Sequence, residues 1–204
     1  ALLDKAPHLQ IIGRAGTGYD NIDVEAATLR GIVVENTPDA NSNSAAEHTM
    51  GLIYTLSRNI PAANGAVKSG RWERSKYVGT EIKGKRIGII GLGKVGELVA
   101  ELGKGNKMEV VFYDPYTSEQ KARALGLTHL SLNNLLETSD YVTIHVPLTE
   151  TTKGMIGIEQ LTLMKPTAFL LNVARGGLVD EDALYEALES GKPEGAAFDV
   201  FSSE

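Results

Sequence analysis

The chain has 204 residues, 42% of them hydrophobic and 23% charged, with a formal net charge of −6. That length and apolar content suffice for one full domain plus part of another and exclude disorder as a description of the whole. The acidic balance excludes the broad basic face by which a protein grips nucleic acid or an anionic membrane. The lack of cysteine excludes disulfides, thiolate metal sites and a thiol nucleophile.

In chain order the apolar runs 9–13, 32–35, 86–91, 109–114, 127–130, 141–146, 168–173 and 195–200 read as strands, several of them β-branched and continuously apolar. Between them, 23–30, 43–59, 61–69, 94–104, 118–125, 132–138, 158–163 and 181–190 read as helices. Asp23 and Asp180 are placed to cap the first and last helices, Gly31 and Gly191 to stop them, and Pro61 suits a first helical position. The alternation predicts an α/β fold, a doubly wound parallel sheet of the Rossmann kind with helices on both faces. The segment 70–84, rich in mixed charge and aromatics, breaks the rhythm and reads as an arm or loop that could reach a second subunit. No apolar run is long enough for a membrane span and no signal-peptide pattern opens the chain, so a cytoplasmic protein is expected.

The chemistry concentrates at 86–114. An apolar run leads into Gly91-Leu92-Gly93-Lys94-Val95-Gly96, an amphipathic stretch follows, and a second apolar run closes on Asp114. The first glycine permits the tight strand-to-helix turn, the second lets backbone N–H groups approach a pyrophosphate, and the third lets helix and strand pack closely. The phosphates then sit on a helix N-terminus. Asp114 lies 18 positions beyond Gly96, near the roughly 20 expected of the acid that binds the adenosine ribose hydroxyls. A carboxylate there repels a 2′-phosphate, so the expected cofactor is NAD rather than NADP.

Taken with GRAGTGYDNID at 13–23, ENTPDANSNSAAEHT at 35–49, HVPLTETTKGMI at 145–156, LNVARGGLVDEDAL at 171–184 and AAFDVFSSE at 196–204, the chain resembles the D-isomer-specific 2-hydroxyacid dehydrogenases nearly end to end. The resemblance implies that residues 1–38 are the C-terminal part of a substrate-binding domain and 39–204 the NAD-binding domain. It implies that Arg175 binds the substrate carboxylate and polarises the reacting oxygen, and that Glu204 pairs with a catalytic histidine. That histidine belongs to a Pro-His pair downstream of Glu204, so the 204 residues by themselves are expected to bind NAD and to turn over poorly.

By the same resemblance Arg14, Asn41 and, from the arm, Arg74 are substrate-side groups. Thr17 lies on the nicotinamide side, Lys94 and Val95 along the pyrophosphate, His145, Val146 and Pro147 beside the adenosine, and Ala174 and Asp199 at the nicotinamide amide. His145 is read as a pocket wall, not the base, while His8, His48 and His129 read as structural. The resemblance implies a phosphorylated 2-hydroxy acid as substrate, no metal and a homodimer or higher homo-oligomer. A sibling enzyme acting on glyoxylate, hydroxypyruvate, lactate or phosphite, or a nucleotide-sensing corepressor of the same fold, are the alternatives.

Overall fold

The computed structural model describes residues 2–203. Two compact units divide at Ser44 and Ala45. In the smaller, β1 (Ile11–Arg14) and β2 (Val33–Asn36) pair in parallel, from Ile11 with Val33 to Arg14 with Asn36. Helix α1 (Val24–Leu29) connects them. The Asp23 carboxylate accepts from the Ala26 N–H at 2.8 Å and Gly31 takes a left-handed φ of +70°, so start and stop fall where those residue types put them.

The larger unit contains α2 (Ser42–Ser57, whose first turn begins in the smaller unit), α3 (Ile60–Lys68), β3 (Arg86–Ile90), α4 (Lys94–Gly105), β4 (Glu109–Tyr113), α5 (Glu119–Leu125), β5 (Thr128–His129), α6 (Leu132–Thr138), β6 (Tyr141–Ile144), α7 (Ile158–Leu163), β7 (Phe169–Asn172), α8 (Glu181–Glu189) and β8 (Gly195–Phe198). Its six strands form one parallel sheet in the order β5-β4-β3-β6-β7-β8. Chain direction reverses its course across the sheet between β3 and β6. That switch point opens a crevice at the strands' C-terminal ends.

Strand alternation explains the layering. Ile87, Ile89, Phe112, Tyr141 and Leu171 point to one face, where they meet Ala46, Met50 and Ile53 of α2 and Val99 and Ala100 of α4. Ile90, Val111, Val142, Ile144 and Leu170 point to the other and meet Leu135 and Leu136 of α6, Leu161 of α7 and Leu184 of α8. Tyr141 keeps its hydroxyl satisfied at 2.8 Å from Ser57 Oγ, which ties α2 to the sheet. Asp180 caps α8 through the Ala183 N–H at 3.0 Å, and Gly191 follows it at φ +80°.

Two details differ from the expectation. Helix α3 starts at Ile60, so Pro61 occupies its second position rather than its first; neither position needs the missing N–H. The 70–84 arm contains one short 3₁₀ turn, Arg74–Tyr77, which the mixed composition did not indicate. No helix among the described residues is long and apolar enough to cross a membrane.

Candidate nucleotide site

The crevice is built by two loops that leave neighbouring strands. After β3 the chain turns at Gly91, whose φ is +95° and whose N–H donates to the Tyr113 carbonyl at 2.8 Å. After β6 the His145 N–H donates to the Ile90 carbonyl at 2.7 Å. A Cβ on Gly91 would lie 2.6 Å from the His145 carbonyl oxygen, and one on Gly96 would run into the Gly91 carbonyl. The first and third glycines are therefore required by protein backbone. Gly93 differs: a Cβ there would meet nothing within 4 Å. The space above it faces the start of α4, whose first turn has no side-chain cap and presents the positive end of the helix to an anion.

Asp114 follows β4 and is already engaged. Its Oδ2 accepts from the Leu92 N–H and its Oδ1 from the Tyr116 N–H, both at 2.8 Å. Each oxygen keeps a lone pair for a hydroxyl. The carboxylate thus fixes the glycine loop while remaining available to a ribose. Tyr116, 92% exposed, adds a flat aromatic face one residue beyond Pro115. An open cradle over Gly93, an uncapped helix start and an acid at the ribose position together fit a dinucleotide.

His145 lies at the crevice wall, with Nε2 2.9 Å from the fully buried Thr143 hydroxyl. Burial holds its pKa down to about 4, so the imidazole is neutral near pH 7. The unfolded chain has the ordinary value near 6.5 and takes up a proton first. The contribution of this group is therefore complete above pH 6.5 and is lost as pH falls toward 4. We expect a loss of up to about 3 kcal/mol on that account. Urea unfolding at pH 7 and 4.5 checks this, because His145→Gln should show a flatter pH dependence than the parent.

On the far side of the switch point, Ala174, Arg175 and Asp199 are tied together by Asn172, which is fully buried at the end of β7. Its Nδ2 donates to the Arg175 carbonyl at 2.8 Å, its Oδ1 accepts from the Ala174 N–H at 3.2 Å, and its carbonyl accepts from the Asp199 N–H at 3.0 Å. Asp199 Oδ1 also lies 3.4 Å from His48 Nε2 on α2. The segment after Asp199 is anchored in turn: Glu181 accepts from the Ser202 N–H at 2.7 Å and the Ser202 hydroxyl at 3.0 Å.

The larger unit thus brings Gly91, Gly93, Lys94, Val95, Gly96, Asp114, His145, Val146 and Pro147 to the two crevice loops and gathers Ala174, Arg175 and Asp199 beside them. Within the smaller unit, the Thr17 hydroxyl donates to Asn41 Oδ1 at 2.8 Å, the Asn36 amide donates to the Thr17 carbonyl at 2.9 Å, and Arg14 ends β1. Arg74 is exposed in the arm's 3₁₀ turn. Glu204 lies outside the described residues. Glu181 and the His48 contact were not indicated by the sequence, because each acts through a partner distant in the chain; Asn172, bonded to residues two and three positions further on, reads as an ordinary polar strand end.

The fold, switch point and glycine cradle define a nicotinamide-dinucleotide-binding domain. Residues 50–204 match the family of the D-isomer specific 2-hydroxyacid dehydrogenase, NAD binding domain, and the chain belongs to that family. NAD is the cofactor such a domain serves. The whole chain is 50% identical over 204 residues to a D-3-phosphoglycerate dehydrogenase of Methanocaldococcus jannaschii, covering 39% of it, and 45% identical over 203 residues to one of Bacillus subtilis, again covering 39%. It spans well under half the length of these relatives. Among solved structures, a D-lactate dehydrogenase from Aquifex aeolicus, complexed with NAD and lactic acid, superposes with a TM-score of 0.88 at 37% identity, over 99% of this chain and 61% of that one. The TT0316 protein of Thermus thermophilus gives 0.92 at 34% identity, over 100% and 64%.

Proposed function

We propose that this chain supplies the cofactor domain of an NAD-dependent enzyme that oxidises D-3-phosphoglycerate to 3-phosphohydroxypyruvate, the first step of serine biosynthesis. The observation that carries the substrate is identity: relatives bearing the name D-3-phosphoglycerate dehydrogenase reach 45–50% over essentially the whole chain. The solved structure of a D-lactate dehydrogenase stands lower, at 37%.

Oxidation of a 2-hydroxy acid removes a hydride from the carbinol carbon and a proton from its hydroxyl. NAD, when bound, accepts the hydride. In this reading Arg175 holds the substrate carboxylate with its guanidinium fork and polarises the reacting oxygen. Asn172 fixes the loop that carries it. Gly93, Lys94 and Val95 receive the pyrophosphate, Asp114 the ribose, and Val146 and Pro147 the adenosine, while Ala174 and Asp199 hold the nicotinamide amide. Arg14, Thr17 and Asn41 serve the substrate side. Glu204 supports the histidine that takes the proton, and a carboxylate beside an imidazole favours its charged form.

Residues 1–38 belong, on this proposal, to the substrate domain. Its two-stranded sheet and the exposed Ile11, Leu29 and Val33 fit a piece that packs against further structure. The arm serves a homodimer: Trp72 and Val78, 80% and 77% exposed, are apolar anchors of the kind buried at subunit contacts, and Arg74 would reach the partner's site. The protein is placed in the cytoplasm, with a small-molecule substrate and neither nucleic acid nor membrane as partner.

The test is NADH formation by the protein expressed from its complete reading frame, with D-3-phosphoglycerate, D-lactate, D-glycerate and phosphite compared. Turnover confined to the phosphoglycerate, and reduced at least about a hundredfold in Arg175→Ala, is the expected result. Preference for another acid would move the assignment to a sibling enzyme. NAD binding without any turnover would favour a sensing role.

A further inference from the structure

Behind the ribose acid stands a cation that the nucleotide reading leaves without a task. Lys121, in the first turn of α5, forms an ion pair with Glu97 of α4. Its Nζ stands 3.5 Å from the Leu92 carbonyl oxygen. The N–H of the same residue, Leu92, donates to Asp114 Oδ2 at 2.8 Å. Carboxylate and ammonium therefore flank one residue of the glycine loop. One residue spans at most roughly 3.6 Å, which puts the two charges within about 10 Å of each other.

We propose that Lys121 and Glu97 form a second determinant of NAD over NADP: Lys121 is a cation within reach of the adenosine ribose 2′ position, and Glu97 keeps its charge occupied. The inference rests on the NAD site described above and adds to it a residue pair that decides which dinucleotide enters. A 2′-phosphate carries close to two negative charges at neutral pH. Asp114 repels it directly. Lys121 would attract it, but its ammonium is held by Glu97 and turned toward the Leu92 carbonyl. The 2′-hydroxyl of NAD is uncharged and makes no demand on the lysine. The pair is also able to open, since the two side chains are 45% and 35% exposed and ion pairs at such positions are weak. Discrimination is thus built from two carboxylates, one facing the nucleotide and one facing the cation that would otherwise welcome a phosphate.

The experiment is titration of this chain with NAD and with NADP, read by calorimetry, for the parent, Asp114→Ser, Asp114→Ser/Glu97→Gln, and that double variant with Lys121→Met added. Serine keeps an oxygen for the loop N–H groups. We expect the NADP-to-NAD affinity ratio to rise about tenfold with Asp114→Ser and further, by about threefold to tenfold, with Glu97→Gln. Lys121→Met should then return it by about tenfold or more, the scale of one charge-assisted phosphate contact. Lys121→Arg in the same background keeps the cation and should hold the gain, which separates lost charge from lost packing. Equal NADP affinity with lysine, arginine or methionine at position 121 overturns the proposal. Failure of the parent to bind NAD at all would instead sink the site itself, and this inference with it.

Discussion

Gly93→Ala leaves the fold intact and lowers NAD affinity at least about tenfold, whereas Gly96→Ala lowers the melting temperature by about 5–10 °C. The two glycines lie three positions apart in one motif, and the structure assigns them different obligations. Gly93 has an extended φ and ψ of −79° and −164°, open to any residue, and an added methyl meets no protein atom within 4 Å. Alanine is a poorer helix N-cap than glycine, and the exchange costs about 0.5–1 kcal/mol, too little to unfold the domain. On the proposed NAD site the methyl nevertheless fills the space through which the pyrophosphate approaches the helix start, and a displaced phosphate contact is worth about 1.4 kcal/mol or more. At Gly96 the gain in helix propensity, up to about 1 kcal/mol, is outweighed by collision of the methyl with the Gly91 carbonyl. Backbone cannot rotate aside as a side chain can. A net cost of about 2–3 kcal/mol corresponds to that fall in melting temperature for a domain of this size. Thermal melts and NAD titration of both variants check it; full NAD affinity in Gly93→Ala would remove the pyrophosphate from this loop.

Asn172→Ala lowers stability by about 2–4 kcal/mol and loosens the Arg175 loop. The side chain is buried and its two polar atoms bond the Ala174 N–H and the Arg175 carbonyl. Truncation opens a small cavity and leaves both loop groups without those partners. Asn172→Asp should be worse, because it keeps the acceptor for Ala174 but sets a buried carboxylate against the Arg175 carbonyl. Arg175→Ala, by contrast, removes a half-buried side chain from the loop surface and should melt close to the parent. Hydrogen exchange at residues 173–176 separates the cases: fast in the Asn172 variants, near-parental in Arg175→Ala. Parental exchange in Asn172→Ala would show that the loop is held by something else.

What the sequence made legible was local. Strand and helix positions follow from apolar runs and from caps such as Asp23 and Asp180, and their bounds fall within a few residues of the structure. The glycine loop and Asp114 were legible because motif, strand and acid follow one another closely in the chain. Lys121 was not: in SEQKAR it reads as one charge on a solvated helix face, and only folding brings it to Glu97 and Leu92. The same holds for His48, which reads as an ordinary helical histidine until β8 places Asp199 beside it, and for Glu181, which looks like a first-turn acid on α8 but also binds Ser202. Asn172 carries no signal that distinguishes a buried hub from a polar strand end. The Arg74–Tyr77 turn leaves no mark in the sequence, because a single 3₁₀ turn has no periodicity to read.

On the proposed function NAD lies across the β3–β6 crevice with its pyrophosphate over Gly93. An amide NMR titration of the chain with NAD tests that placement. The predicted result is saturable binding that shifts the amides of Leu92 to Glu97, Tyr116, His145 and Val146, with NADP binding more weakly. Saturable binding that leaves those amides unmoved, or no binding at all, would contradict it.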